Sequence, residues 1–159
     1  METRNIRDYL RPGKRAHLVG IGGVSMASLA EVLHGAGVAV TGSDQRESAT
    51  VLHLRKLGIE VVIGHLPESV QGADCVVRTA AVHDGNPEIA AALKGGIPVF
   101  ERAQAWGAIM RGYKNALCIS GTHGKTTTTS MCTHIFMAAQ ADPTVMIGGT
   151  LPLLEACHR

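Results

Sequence analysis

Short apolar runs alternate along the first 112 positions with stretches whose apolar residues recur at helical spacing. Residues 15–20, then Val38-Ala39-Val40, Ile59 to Ile63, Asp74 to Arg78 and Ile97 to Phe100 read as five strands. The first is followed by a helix in which Leu29, Val32, Leu33 and Ala36 fall at i, i+3, i+4 and i+7, with Ser28 and Glu31 pointing away. Gly37 supplies its left-handed stop. Thr50 to Leu57 reads as a short helix and Pro67 to Val70 as a helical turn. Asn86-Pro87-Glu88 opens a further helix, with Asn as cap and Pro in the first turn. Glu101 to Arg111 follows as a last one, with Ala105, Ala108 and Ile109 inward. Pro98 places the fifth strand at an edge or a strand end. Strands alternating with helices predict an α/β fold, a Rossmann-like doubly wound parallel sheet.

The pattern breaks after residue 112. Residues 113–115 read as a linker, and residues 116–159 carry only two strand candidates, 116–120 and 144–147, around one helix. A single βαβ unit of that size buries too little apolar surface to stand alone. It reads as the start of a second, ATP-binding domain in a truncated chain, and its uncovered apolar faces suggest pairing with a second copy.

Two glycine-bearing turns carry the candidate chemistry. Ser120-Gly121-Thr122-His123-Gly124-Lys125-Thr126-Thr127 sits between an apolar run and a helical pattern, the layout of a phosphate-binding loop. Backbone N–H groups and a helix N-terminus face an anion there, Lys125 adds a positive charge, and Thr126 offers a hydroxyl to magnesium. The strict spacing requires Gly where Ile119 stands, so the loop is a shorter variant. The threonine run from Thr126 to Thr129 costs helix propensity without structural gain, which favours a functional loop over a mere capped turn. The earlier turn, Gly20-Ile21-Gly22-Gly23-Val24-Ser25-Met26, lies in a βαβ unit with Asp44 at the end of the next strand. That approximates a dinucleotide fingerprint, with Ser25 in the place of the last glycine. A phosphate-bearing ligand and a tight turn needing glycine for packing are both compatible with it. His65 and the Thr79 to Val82 turn fall at other strand ends, so one crevice collects them with the glycine turn.

Composition narrows the class. Net charge is +2 without a basic run, which excludes an electrostatic footprint for nucleic acid or an anionic membrane. Apolar residues are 45% but aromatics only 3%, so the core rests on aliphatic side chains, with Trp106 and the methionines as filler. Cys75, Cys118, Cys132 and Cys157 are far apart, with Cys75 and Cys118 inside apolar runs, which fits a reduced cytoplasm better than a disulfide framework. The first residues show no apolar leader, and no apolar run is long enough to span a membrane. No histidine pair has metal-ligand spacing.

Three stretches together resemble the Mur ligases: His17 to Met26 with Thr41-Gly42-Ser43-Asp44; Asn86-Pro87-Glu88 with Ile97-Pro98-Val99 and Arg102; and Gly121 to Thr128 with Asp142-Pro143-Thr144 and Ile147-Gly148-Gly149. The family commonly has Gly where Ser25 stands and Ser-Ser-Ala-Ile where Thr79-Ala80-Ala81-Val82 stands. The resemblance implies a UDP-sugar domain over 1–112 and a central ATPase domain begun at 116. It implies a reaction in which ATP activates the carboxylate of UDP-N-acetylmuramate as an acyl phosphate for attack by L-alanine. By the same resemblance Gly22, Gly23, Ser25 and Met26 would serve the UDP diphosphate through backbone N–H groups, with Gly20 in the same UDP-sugar-binding turn. Asp44, His65, Thr79, Ala80, Ala81 and Arg102 would line the nucleotide-sugar crevice. Gly121, Thr122, His123, Gly124, Lys125, Thr126 and Thr127 would bind ATP, with Lys125, Thr126 and His123 closest to the chemistry and Thr126 on Mg²⁺. The fragment would bind the UDP-sugar without completing the reaction. A ligase that attaches a tripeptide to the same sugar is the alternative within the family. Outside it stands a module sensing NAD(H) through Gly20 to Gly23 and Asp44.

Overall fold

A computed structural model of the chain describes residues 5–151 and 156–158. It divides into two compact units, Met1–Tyr113 and Lys114–Arg159.

The first unit is built on a five-stranded sheet of β1 (Arg15–Val19), β2 (Ala39–Asp44), β3 (Glu60–Ile63), β4 (Cys75–Arg78) and β5 (Val99–Glu101). Its spatial order is β3-β2-β1-β4-β5, and each neighbouring pair is parallel. The helices are α1 (Val24–Gly35), α2 (Ala49–Lys56), α3 (Pro87–Lys94) and α4 (Arg102–Met110). A short 3-10 turn, Pro67–Val70, replaces a full helix between β3 and β4. Pro98 precedes β5, whose place at the sheet edge spares the missing N–H.

Side chains alternate between the two faces of the strands, so each strand feeds two different interiors. Ala16, Leu18, Val40, Val61, Cys75, Val77 and Phe100 join α1, α2 and α4 in one apolar core. Val19 and Val76 join Ile89 and Ala92 of α3 and Val70 in a smaller one on the opposite face. His17, Thr41 and Ser43 share that second face by the same alternation.

Several expectations shift in detail. The buried side of α1 is Met26, Ala27, Ser28, Leu29, Ala30 and Leu33, whereas Ala36 is exposed and Val32 half-buried. Ser28 is inward because α1 packs against both α2 and α4, which widens its covered arc, and its hydroxyl donates to the Val24 carbonyl at 3.0 Å. Glu31 is half-buried, its carboxylate 3.4 Å from His53 Nε2. Trp106 is more than filler, since its indole N–H donates to Ser25 Oγ at 3.2 Å. Burial, helped by the neighbouring Asp74 charge, pushes the Cys75 thiol up to about 12, consistent with an inert apolar role.

The second unit contains α5 (Lys125–Ala138) and an antiparallel pair, β6 (Met146–Leu151) with β7 (Ala156–His158). The strand expected at 116–120 is not formed, and Cys118 in it is exposed. A strand exists only by pairing, and among the described residues of this unit β6 pairs with β7 and nothing pairs with 116–120. The strand expected at 144–147 forms as β6, further along the chain. Leu117, Met131, Ile135, Phe136 and Met146 are exposed in this unit. No helix among the described residues is long and apolar enough to cross a membrane.

Candidate functional site

Because all five strands of the large sheet run the same way, their carboxyl ends lie along one edge. Gly20 follows β1, Asp44 ends β2, Gly64-His65 follows β3, Thr79 follows β4 and Arg102 opens the helix after β5. The topology thus brings to one edge every residue expected to line the nucleotide-sugar crevice.

The glycine turn is fastened to this edge by backbone bonds. Gly20 N–H and Ile21 N–H both donate to the Ser43 carbonyl, at 2.8 and 2.9 Å. Gly20 has φ +80°, a left-handed conformation that glycine adopts without strain. Gly22 N–H donates to Asp44 Oδ2 at 2.8 Å, Gly23 N–H to the Gly20 carbonyl at 3.2 Å, and Met26 N–H to the Gly23 carbonyl at 2.9 Å. Three of the four backbone donors expected for a diphosphate are therefore engaged inside the protein. Ser25 N–H keeps no protein partner among the described residues, and Val24 N–H, which the sequence reading passed over, joins it. Both belong to the first turn of α1, where a helix leaves its donors free and the macrodipole favours an anion. Asp44 acts as a brace of the turn, and a Cβ on Gly22 would meet its Oδ2 at 2.9 Å.

The Thr79 turn is closed upon itself, with Ala81 N–H donating to Thr79 Oγ1 at 3.2 Å and Val82 N–H to the Thr79 carbonyl at 3.0 Å. Ala80 and Ala81 are exposed. Arg102 is half-buried in the first turn of α4, beside Arg78, which pairs with Glu101 at 2.9 Å and with Asp84.

A polar cluster below this edge went unseen in the sequence. Glu88, in the first turn of α3, is 0% exposed, and its two oxygens serve three side chains. Oε1 lies 3.2 Å from His17 Nε2; Oε2 accepts from Ser43 Oγ at 2.6 Å and lies 2.7 Å from His65 Nδ1. His17 Nδ1 lies 3.0 Å from Thr41 Oγ1, and His65 Nδ1 lies 3.2 Å from Ser43 Oγ. Asn86 caps the helix by accepting from Glu88 N–H at 2.9 Å, which pins the residue whose side chain turns inward. The signal was present as Asn-Pro-Glu with His17, Thr41 and Ser43 at alternating strand positions, but nothing local says that they meet.

In the second unit, Gly124 (φ +78°) caps α5 in the left-handed region. Lys125 Nζ donates to the Gly121 carbonyl at 2.7 Å and to the Thr122 carbonyl at 3.3 Å, so the ammonium rests over its own loop. Thr129, Ser130 and Thr133 return their hydroxyls to the carbonyls four residues back, at 2.8, 2.9 and 2.8 Å. Among the described residues, only Thr129 of the run from Thr126 to Thr129 makes such a bond, which satisfies its hydroxyl without favouring the helix. Thr126 and Thr127 hydroxyls and the His123 ring make no hydrogen bond among the described residues. A lysine, a free threonine hydroxyl and a glycine-capped helix start fit a nucleotide phosphate with Mg²⁺, an ion held by few protein ligands. No group of three or more His, Cys, Asp or Glu side chains among the described residues is arranged to hold a metal by itself.

Comparison with known proteins gives a consistent result. Residues 15–114 match the model of the Mur ligase family, catalytic domain. The chain is 47% identical over 142 residues to the UDP-N-acetylmuramate–L-alanine ligase of Clostridium novyi, covering 89% of this chain and 31% of that protein. It is 49% identical over 145 residues to the enzyme of the same name from Agathobacter rectalis, covering 91% and 31%. The crystal structure of UDP-N-acetylmuramate-alanine ligase from Thermotoga maritima superposes with a TM-score of 0.84 at 34% identity, covering 91% of this chain and 34% of that one. The UDP-N-acetylmuramate:L-alanyl-gamma-D-glutamyl-meso-diaminopimelate ligase of Neisseria meningitides gives a TM-score of 0.86 at 31% identity, covering 92% and 46%. The chain spans about a third of the length of the curated relatives it matches (31% of the Clostridium novyi protein).

Proposed function

We propose, starting from a chain that belongs to the Mur ligase family, that its first unit binds UDP-N-acetylmuramate for an ATP-dependent ligase. That ligase, cytoplasmic on this reading, joins L-alanine to the sugar's carboxylate in the synthesis of peptidoglycan precursors. The observation that carries the reading is the parallel sheet edge, where the α1 turn, His65, the Thr79 turn and Arg102 come together in a chain so similar to alanine ligases. On it, Val24 and Ser25 N–H groups meet the diphosphate at the positive end of α1. Gly22 and Gly23 keep side chains away so that the diphosphate approaches the backbone, and Asp44 holds the turn in shape. His65, Thr79, Ala80, Ala81 and Arg102 line the nucleotide sugar.

Lys125 and Thr126 would hold the ATP phosphates and Mg²⁺, with Gly121, Thr122, Gly124 and Thr127 shaping the loop and His123 beside it. ATP, when bound, would supply the phosphoryl group that activates the sugar's carboxylate, with ADP as the leaving group; these residues would supply charge and orientation. Since the chain covers a third of its relatives, the function proposed for these 159 residues is sugar-nucleotide binding rather than the complete ligation. The tripeptide-ligase reading keeps the support of the Neisseria meningitides likeness.

Calorimetric titration with UDP-N-acetylmuramate, beside NADH and Mg-ATP, tests this. Saturable heat with the sugar nucleotide and none with NADH is expected; the reverse would overturn the reading in favour of a redox-sensing module. Gly23→Val is the informative variant. Its added Cβ meets nothing closer than the Gly20 carbonyl at 3.5 Å, and the branched side chain would block the approach to the diphosphate. Binding should weaken by about tenfold or more, equal to about 1.4 kcal/mol. Lys125→Ala should leave it unchanged.

A further inference from the structure

We propose that Glu88 is a positioning residue that fixes the ring state of His65, so that its Nε2 faces the crevice as a hydrogen-bond acceptor for the sugar nucleotide. The inference rests on the function proposed above and adds what His65 can recognise.

Hydrogen-bond bookkeeping in the cluster leads there. Ionised Glu88 is acceptor-only, so the groups around it must donate. Its Oε2 takes the Ser43 hydroxyl proton at 2.6 Å, and the His65 Nδ1 at 2.7 Å then has to carry a proton as well. The 3.2 Å approach of His65 Nδ1 to Ser43 Oγ agrees, since the hydroxyl oxygen has a lone pair left after donating. Oε1 takes the His17 Nε2 proton, which makes His17 Nδ1 the acceptor of the Thr41 hydroxyl. Every buried atom of the cluster is satisfied with both rings neutral, and no buried side-chain N or O among the described residues lacks a partner. His65 Nε2 makes no hydrogen bond within those residues, so it faces solvent at the carboxyl edge of the sheet, on a side chain only 14% exposed. The ring nitrogen that bonds the carboxylate decides the state of the other. In the neutral ring the Nδ1 proton that Glu88 requires leaves Nε2 with a lone pair, which selects an N–H or O–H donor of the ligand and disfavours a bare acceptor. His17, held by Thr41, keeps the shared carboxylate from turning.

Nitrogen-15 NMR of the histidine rings in the 159-residue chain reads this directly. The His65 signals are identified by their loss in His65→Gln. The parent should show protonated Nδ1 and bare Nε2 at neutral pH; a dominant Nε2–H form or a doubly protonated ring would overturn the proposal. Glu88→Gln leaves one acceptor oxygen where two served, so the Nδ1–H population should fall and UDP-N-acetylmuramate should bind about tenfold more weakly. Unchanged ring state and unchanged affinity in a folded Glu88→Gln protein would overturn it. Glu88→Gln and His65→Gln should be non-additive, the pair costing little more than His65→Gln alone. Titration with UDP tells the sources of the donor apart: equal weakening for UDP places it on the uridine diphosphate half, and weakening for the sugar nucleotide alone places it on the sugar. A parent with the expected ring state and no heat from UDP-N-acetylmuramate would sink the function proposed above. With it would go the recognition role of His65, leaving the ring assignment established.

Discussion

The two faces of one sheet differ although the same strands supply both: one is a broad apolar core, and the other sets a polar cluster beside a smaller apolar core. In β1, Leu18 enters a broad apolar core while its neighbour His17 enters a polar cluster. In β2, Val40 and Gly42 face the first interior, and Thr41 and Ser43 the second. The apolar face is covered by α1, α2 and α4 and stabilises by area removed from water, which has no preferred direction. The polar face is covered by α3 and the 3-10 turn, and its cluster binds through directional bonds that contribute little net stability but hold side chains in one geometry. That division explains why a residue aimed at the crevice, His65, is anchored on the second face.

The largest effect should come from disturbing the apolar face at its tightest point. A Cβ on Gly42 would meet Ile21 Cδ1 and the Leu18 carbonyl, each at 2.6 Å, and Ile21 Cβ at 2.8 Å. The carbonyl belongs to the neighbouring strand and cannot move without breaking the ladder. Gly42→Ala should cost about 3 kcal/mol or more, read as a fall in the urea unfolding midpoint. Leu29→Ala, which removes a fully buried side chain of α1, should cost about 3 kcal/mol. If either variant unfolds at the parent's midpoint, the face is not the packed interior described.

On the polar face, removal of one partner and removal of several should differ. Glu88→Leu leaves His17, Ser43 and His65 facing an apolar side chain and should cost about 2 kcal/mol. Adding Ser43→Ala should cost less than the sum of the two single changes, because the hydroxyl then no longer lacks an acceptor. Strict additivity in that double-mutant cycle, again by urea unfolding, would mean that the cluster is a set of separate contacts.

The apolar face was far more legible in sequence than the polar one. Strand and helix periods report burial directly, so the five strands, the Asn86 cap and the inward Ala105 and Ala108 follow from local pattern. Two physical facts limited the rest. Helix α1 contacts elements on two sides, so its buried arc includes Ser28, which a single-stripe reading turns outward. The 116–120 segment has the composition of a strand, yet strand formation needs a partner that local sequence cannot supply. The sheet edge that gathers the site follows from topology, and so from the pattern. Which atoms stay available there does not. Asp44, expected as a ligand contact, also braces Gly22, while Glu88 starts its helix as expected and in addition bonds His17, 71 residues away in the chain, and His65.

The smallest predicted effect separates the two faces by pH, since an apolar core has nothing to titrate. Burial alone would push the Glu88 carboxyl up; hydrogen bonds from His17, Ser43 and His65 outweigh it and hold the group below its ordinary value of 4.5. A folded-state pKa below the unfolded one means that the unfolded chain binds more protons, so this contribution is complete above the ordinary value and is lost as pH falls from there through the lower folded-state value. One carboxylate limits the slope to about 1.4 kcal/mol per pH unit. Asp74, also lowered by its bonds to Lys14 and to the Arg15 backbone, adds an acid sensitivity of the same sign. It does so equally in parent and variant, and drops out of their difference. Urea midpoints of the parent and of Glu88→Gln, followed from about pH 7 to about pH 2, should therefore run parallel above the ordinary value and converge below it, the parent losing its advantage on the acid side. Parallel curves over the whole range would show that the buried carboxylate gains nothing from its three donors.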